Sequence, residues 1–198
     1  WNYWIQDYGS QGLTVQGNRV RDHAGRYVGG STTNYENALS RLQPRHISFV
    51  NNKGSQLGDN LIYCDGCFDV TIMGNESWEV NQQIAKMHGD NYTLIGNIHR
   101  DSGYGFQFAG KGQTTNLDDA YAGGGIGLVA EGNVFHNIRL TPCILQNDGD
   151  SYPRDVRIHG NKFISCGMGA VLALGDHPYS LDNFGGDNAL PVRLLADC

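Results

Sequence analysis

The sequence returns six times to a short apolar block ending in asparagine, and this repetition limits what the chain can fold into. "LTVQGN" ends at Asn18, "ISFVNN" at Asn52, "VTIMGN" at Asn75, "YTLIGN" at Asn97, "LVAEGN" at Asn133 and "VRIHGN" at Asn161, giving steps of 34, 23, 22, 36 and 28 residues. Within each block apolar residues alternate with polar or small ones, as in Val70 and Ile72 or Val156 and Ile158. Successive side chains of a strand point to opposite faces, so the alternation predicts short strands with one face buried. Landmarks that recur this regularly belong to a repeat architecture rather than to a sandwich.

A second landmark lies between the blocks: a short strand ending in glycine, as in "WIQDYG" (Gly9), "GRYVG" (Gly29), "LIYCDG" (Gly66), "IAKMHG" (Gly89), "FQFAG" (Gly110), "ILQNDG" (Gly149) and "VLALG" (Gly175). From each asparagine to the next of these glycines the distances are 11, 14, 14, 13, 16 and 14, whereas from each glycine to the following asparagine they are 9, 23, 9, 8, 23 and 12. Nearly all length variation therefore falls in one arc, which places the insertions (30–44, 111–125 and 176–190) on one side of a stack. "GGSTTNYENALS" and "GKGQTTNLDDAYA" share Thr-Thr-Asn and sit in arcs of equal count, which suggests a duplication.

With 28 Gly and only 5 Pro in 198 residues, and no period of three, the chain has an excess of tight turns without being collagen-like. A basic unit of 22 to 23 residues with two or three short strands suits turns stacked at a strand spacing of about 4.8 Å. On these "V-x-I-x-G-N" blocks the chain resembles the right-handed parallel β-helix repeat family, the pectate-lyase-like superfold, over its whole length. The resemblance implies an all-β solenoid of about seven coils, one domain over 1–198, with Asn18, Asn52, Asn75, Asn97, Asn133 and Asn161 stacked as a ladder at one turn. No cap sequence is visible at either end, and "WIQDYGSQGLTVQGN" aligns without a gap on "LIYCDGCFDVTIMGN". The expectation is a segment of a larger protein, or ends that stack on other subunits as a homo-oligomer.

Composition narrows the partners. A net charge of −6 with 14 Lys and Arg scattered along the chain leaves no footprint for nucleic acid, and no apolar run is long enough for membrane insertion. The first residues lack the basic and apolar regions of a signal peptide, as a mature or excised segment would. Five cysteines (Cys64, Cys67, Cys143, Cys166, Cys198) are neither a disulfide framework nor a zinc set. Cys64 and Cys67 form a C-x-x-C inside a strand unit rather than at a helix start, so Cys64 reads as a buried small residue. No H-E-x-x-H or G-x-S-x-G occurs, and "GGGIG" precedes a strand rather than a helix.

Chemistry is sought in columns, because stacking makes distant residues neighbours. Counting back from the landmark glycines, Tyr63, Lys86, Gln107 and Gln146 form one outward column, and Asp65, His88 and Asp148 another, with Asp90 and Asp150 just past the turn. The residues between them, Ile62, Cys64, Ala85, Met87, Phe106, Phe108, Leu145, Val171 and Ala173, are mostly apolar and expected in the core. Amide, hydroxyl and carboxyl groups beside an aromatic ring make a bed for an extended sugar chain; the structural alternative is a solvated sheet face whose aspartates close turns. A lyase would need a base and a cation for a uronate carboxylate, for which Lys86 and His88 with Tyr63 or Arg100 are the candidates. A hydrolase would need two carboxyl groups about 5 to 9.5 Å apart, from Asp65 and Asp90 or from Asp148 and Asp150. The matching "RDHAG" and "RDSGYG" set Arg and Asp at one repeat position, which reads as a structural ion pair. Loop acids such as Glu36, Asp118, Asp119 and Asp182 are of the type that binds Ca²⁺; no calcium motif occurs, so Ca²⁺ is a candidate ligand and no other cofactor is indicated.

The resemblance implies carbohydrate as the partner, because its members are most often polysaccharide lyases, hydrolases or epimerases, and next most often tailspikes or adhesins. The expected function is a polysaccharide-binding domain, extracellular or on a virion surface, that cleaves its glycan if it is catalytic. The alternative is a non-catalytic stacking module of a fibre, tail or capsid.

Overall fold

The computed structural model describes residues 3–7, 10–24, 26–31, 44–109, 125–146, 153–167, 172–174 and 192–195. The described residues are all-β, with every strand pairing parallel, in a 12-stranded and a 6-stranded sheet. The larger sheet has two runs. One contains Tyr3–Asp7, Arg26–Ser31, Phe106–Ala109, Cys143–Gln146 and Leu172–Leu174; the other contains Thr14–Gln16, Arg45–Val50, Ile126–Glu131, Arg154–His159 and Val192–Leu195. The long strands Ile62–Met73 and Ala85–Ile95 belong to both runs and join them. The smaller sheet stacks Arg19–His23, Lys53–Leu57, Glu76–Val80, Ile98–Ser102, Val134–Ile138 and Lys162–Ile164 in sequence order. Each pass of the chain thus hydrogen-bonds the next in three places, an arrangement compatible with a β-solenoid.

What bends each pass is backbone handedness. Three positions fixed relative to the repeating asparagine carry a left-handed φ. Immediately before it stand Gly17, Asn51, Gly74, Gly96, Gly132 and Gly160, with φ of 54 to 68°. Six residues before it, Gly12, His46, Asp69, Asn91, Gly127 and Asp155 have φ of 52 to 82°. Four residues after it, Asp22, Gln56, Glu79, Asp101, Asn137 and Ser165 have φ of 53 to 56°. A single left-handed residue turns an extended strand sharply, and Gly, Asn and Asp accept that conformation at least cost. The corner residues also bond one another: Asn91 Nδ2 donates to Asp69 Oδ1 at 3.0 Å, and Asn137 Nδ2 to Asp101 Oδ1 at 2.8 Å.

The predicted asparagine column is a continuous chain of hydrogen bonds. Side-chain amides link Asn18 to Asn52, Asn52 to Asn75, Asn75 to Asn97, Asn97 to Asn133 and Asn133 to Asn161 at 2.8 to 3.1 Å. Each Nδ2 from Asn52 onward also donates to a carbonyl of the preceding pass, as Asn97 does to Ile72 O at 2.9 Å. From Asn52 to Asn161 these side chains are buried, where an unpaired amide would be costly, so the column satisfies itself.

One apolar cluster fills the space between the strand sets, drawing Ile62 and Phe106 from the first run, Ile72 and Leu94 from the second and Val80 and Phe135 from the smaller sheet. Of the core residues expected from alternation, Ile62, Cys64, Ala85, Met87, Phe106, Phe108 and Leu145 are fully buried, while Val171 and the side chain of Ala173 lie outside the described residues. Cys64, Cys67, Cys143 and Cys166 are free thiols, and Cys64 packs as a small apolar residue in that cluster. No helix of the described residues is long and apolar enough to cross a membrane.

The register corrects two glycine landmarks. Gly29 stands beside Tyr63, three positions short of Gly66, and Gln146 stands beside Ala109 rather than Gln107. These are the two passes whose counts departed from the rest. Counted from the register-equivalent Ser31 and Ala109, the arcs to Asn52 and Asn133 are 21 and 24 residues, so their equal length was a product of the misplaced landmark.

Candidate functional site

The outward column of the first run reads Tyr63, Lys86, Gln107 and then Ile144 in register, with Asp65, His88, Ala109 and Gln146 beside it. Gln146 therefore moves into the column expected for Asp148. Asp148 and Asp150 lie outside the described residues, as do the side chain of Asp65 and nearly all of the three insertions, with the loop acids that bore on Ca²⁺. Among the described residues no group of three His, Cys, Asp or Glu is placed to hold a metal ion.

Tyr63, Lys86 and His88 are brought together. Lys86 Nζ sits 5.6 Å from the centre of the Tyr63 ring, and the imidazole of His88 meets the same ring edge-on at 6.0 Å between centroids. The ring thus has a cation over it and an imidazole at its side, contacts that fix its orientation. His88 and Gln107 are less exposed than an outward strand position suggests, at 8% and 6%. Among the described residues of this strip, Tyr63, Lys86, Asp90 and Gln146 keep partial exposure.

Beneath them runs an amide chain. Gln83 Nε2 donates to Gln107 Oε1 at 3.2 Å, and Gln107 Nε2 donates to Gln146 Oε1 at 2.7 Å. Gln107 is spent on its neighbours, so it holds Gln146 in place instead of offering its own amide. Gln83 was not singled out in the sequence; it is 4% exposed and its Oε1 has no hydrogen-bond partner. A signal for it existed, because eight residues after the ladder asparagines stand Asn60, Gln83, Gly105 and Thr141, and Gln83 N bonds Asn60 Oδ1 at 3.1 Å.

Two predicted members serve elsewhere. Asp90 Oδ1 accepts from Ile126 N at 3.0 Å, so this carboxylate ties one pass to the next. Arg100 lies in the smaller sheet, where its guanidinium stacks at 5.3 Å from the Trp78 ring centre and approaches Glu76 and Asp101 at 3.9 Å each. It does not join Lys86 and His88. Its pair with Asp101, and that of Arg21 with Asp22 at 3.4 Å, match the structural ion pairs expected from the repeated Arg-Asp.

The other buried histidine is structural. His99 receives Ser77 Oγ at Nδ1, 2.6 Å, and its Nε2 meets Tyr104 O at 2.7 Å. A carbonyl only accepts, so Nε2 carries the proton and Nδ1 accepts from the hydroxyl. Burial holds its pKa down from 6.5 to about 4, against the raising effect of its backbone hydrogen bonds, and the ring is neutral.

No protein-family model, no curated protein and no solved structure matches this chain. The geometry of the described residues gives its class: all-β, with parallel sheets and a self-bonded asparagine column, an arrangement compatible with a β-solenoid.

Proposed function

We propose that the chain is a right-handed parallel β-helix of about seven coils that binds an extended polysaccharide along the strip of Tyr63, Lys86 and Gln146. The observation that carries this reading is the amide chain from Gln83 through Gln107 to Gln146, running across strands beside an oriented tyrosine and a lysine. A ligand lying across parallel strands meets a new row about every 4.8 Å, which suits a polymer of similar units. The ring offers a stacking face, the amide bonds hydroxyl groups and the ammonium holds a uronate carboxylate. Of the two chemistries, β-elimination fits better, because Lys86 and His88 flank Tyr63 while Asp90 is already bonded to the backbone.

The test is affinity electrophoresis on uronate and neutral polysaccharides, with absorbance of unsaturated products followed in parallel. Lys86→Ala and Gln146→Ala should weaken retention on a uronate polymer. Retention unchanged in both variants would overturn the site, and retention on no glycan would leave the non-catalytic stacking module as the reading.

A further inference from the structure

The amide chain beneath the strip has a direction, and that direction selects the atom a ligand must offer. Nε2 of Gln83 donates to Oε1 of Gln107 at 3.2 Å, and Nε2 of Gln107 donates to Oε1 of Gln146 at 2.7 Å. Both steps run the same way, from the interior toward water: Gln83 is 4% exposed and Gln107 6%, while Gln146 is partly exposed. A carboxamide carries its donor and its acceptor on opposite sides of one carbon, so turning it about exchanges the two roles. Gln107 is bonded on both sides and turns only if Gln83 and Gln146 turn with it.

The buried end fixes the direction. As the relay stands, the group left over in the interior is a carbonyl, Gln83 Oε1, which has no hydrogen-bond partner. Reversal would put Nε2 of Gln83, with two hydrogens to place, where that oxygen now sits. Buried N–H groups are left unpaired less often than carbonyls, so the relay keeps its sense. The group left over at the open end is then a donor. Among the described residues the one side-chain hydrogen bond of Gln146 is that accepted by its Oε1, so both hydrogens of its Nε2 are unspent.

We infer that Gln83 and Gln107 are positioning residues that hold Gln146 as a fixed donor, and that the ligand group seated on it is a uronate carboxylate. A sugar hydroxyl is served by either side of an amide, whereas a carboxylate only accepts and is served by the donor side alone. Its charge also strengthens the bond it receives. This role rests on the strip as the polysaccharide site, and it gives Gln146 the acid of the polymer where a hydroxyl would otherwise do.

The experiment follows the side-chain amide hydrogens of Gln146 by NMR in the full chain, identified by their loss in Gln146→Met. Without ligand, both should exchange with water as fast as those of an exposed glutamine. In Gln107→Glu one of them should slow by about tenfold or more, because a carboxylate at that position accepts from both neighbours and turns Gln146 about. Gln83→Met removes the buried anchor and should slow one of them by about twofold, as both senses become populated. An oligogalacturonate should shift and slow the Gln146 hydrogens of the parent, and dextran should not. A slowed hydrogen in the free parent, unchanged exchange in Gln107→Glu, or an equal response to dextran would overturn the relay, even where Lys86-dependent retention on the uronate polymer persists. Failure of the strip is read separately, as retention of the parent on no glycan whatever the exchange rates.

Discussion

Asn97 Oδ1 accepts two hydrogen bonds from Asn75, one from its backbone N at 2.9 Å and one from its Nδ2 at 3.0 Å. Both residues are buried, at 1% and 0% exposure, so water cannot replace either bond. Asn97 in turn donates to Ile72 O and to Asn133 Oδ1, each at 2.9 Å. Asn97→Ala would leave the Asn75 backbone N–H and one hydrogen of its Nδ2 without an acceptor and remove the side-chain donor from Ile72 O, while Asn133 Oδ1 would keep the Asn97 backbone N–H at 2.9 Å. The expected loss is about 3 to 5 kcal/mol of unfolding free energy, read from urea denaturation. Asn18→Ala, at the exposed end of the column, should cost about 1 kcal/mol or less. Equal losses at the two positions would show that the column does not act through burial.

Much of this was legible in the sequence because hydrogen bonding repeats a residue type in place. The column at Asn18 through Asn161 and the alternation placing Ile62, Cys64 and Phe106 inside both follow from local pattern. Register across passes did not follow, since Gly29 pairs with Tyr63 rather than with Gly66, and Gln146 pairs with Ala109 rather than with Gln107; interstrand pairing sets these positions. The corner residues Glu79 and Gln56 were also invisible, because neither type advertises a left-handed φ. Arg100 was grouped with Lys86 by composition, whereas the chain turns at its ladder asparagine between them and puts them on different sheets. Gln83 escaped because it precedes its strand, where alternation assigns no face.

Burial separates the thiols. Cys64, Cys67 and Cys143 have no exposed surface, and desolvation, with Cys166 as a neighbour, pushes the Cys143 thiol well above its ordinary range. Cys166 is partly exposed, and its thiol is raised more modestly, again mainly by burial. Only thiolates alkylate, so iodoacetamide at pH 8 should label Cys166 slowly and leave Cys64, Cys67 and Cys143 unlabelled until denaturant is added. Peptide mass spectrometry checks this; rapid native labelling of Cys143 would contradict its burial.

The corners predict substitutions of opposite sign. Glu79 is exposed at φ 55°, a conformation costing an ordinary L-residue about 1 kcal/mol that asparagine bears more easily. Glu79→Asn should therefore raise stability by about 0.5 to 1 kcal/mol. Gly89 sits at φ 128°, and a Cβ there would lie against the carbonyl oxygen of Cys67 in the neighbouring pass. Gly89→Ala should cost more than about 2 kcal/mol, because the obstacle is backbone that cannot swing aside. Thermal melts of the two variants beside the parent give both signs in one measurement.

His99 gives the fold a pH dependence with a definite direction. Its folded pKa of about 4 lies below the 6.5 of an ordinary histidine. Between those values the unfolded chain takes up a proton at this position and the folded chain does not, so acid favours unfolding. The stabilisation is fully present above pH 6.5, falls as pH drops through that window, and is exhausted below about pH 4, where both states are protonated. A gap of this size corresponds to about 3 kcal/mol. His99→Gln retains a donor for Tyr104 O and an acceptor for Ser77 Oγ but has nothing to titrate. Urea midpoints measured from pH 4 to 7 should therefore fall more steeply in the parent than in the variant, whatever the variant costs at neutral pH. Parallel curves would mean that His99 takes its proton without unfolding the chain, and the neutral ring bonded between Ser77 and Tyr104 would then be the wrong description of the interior.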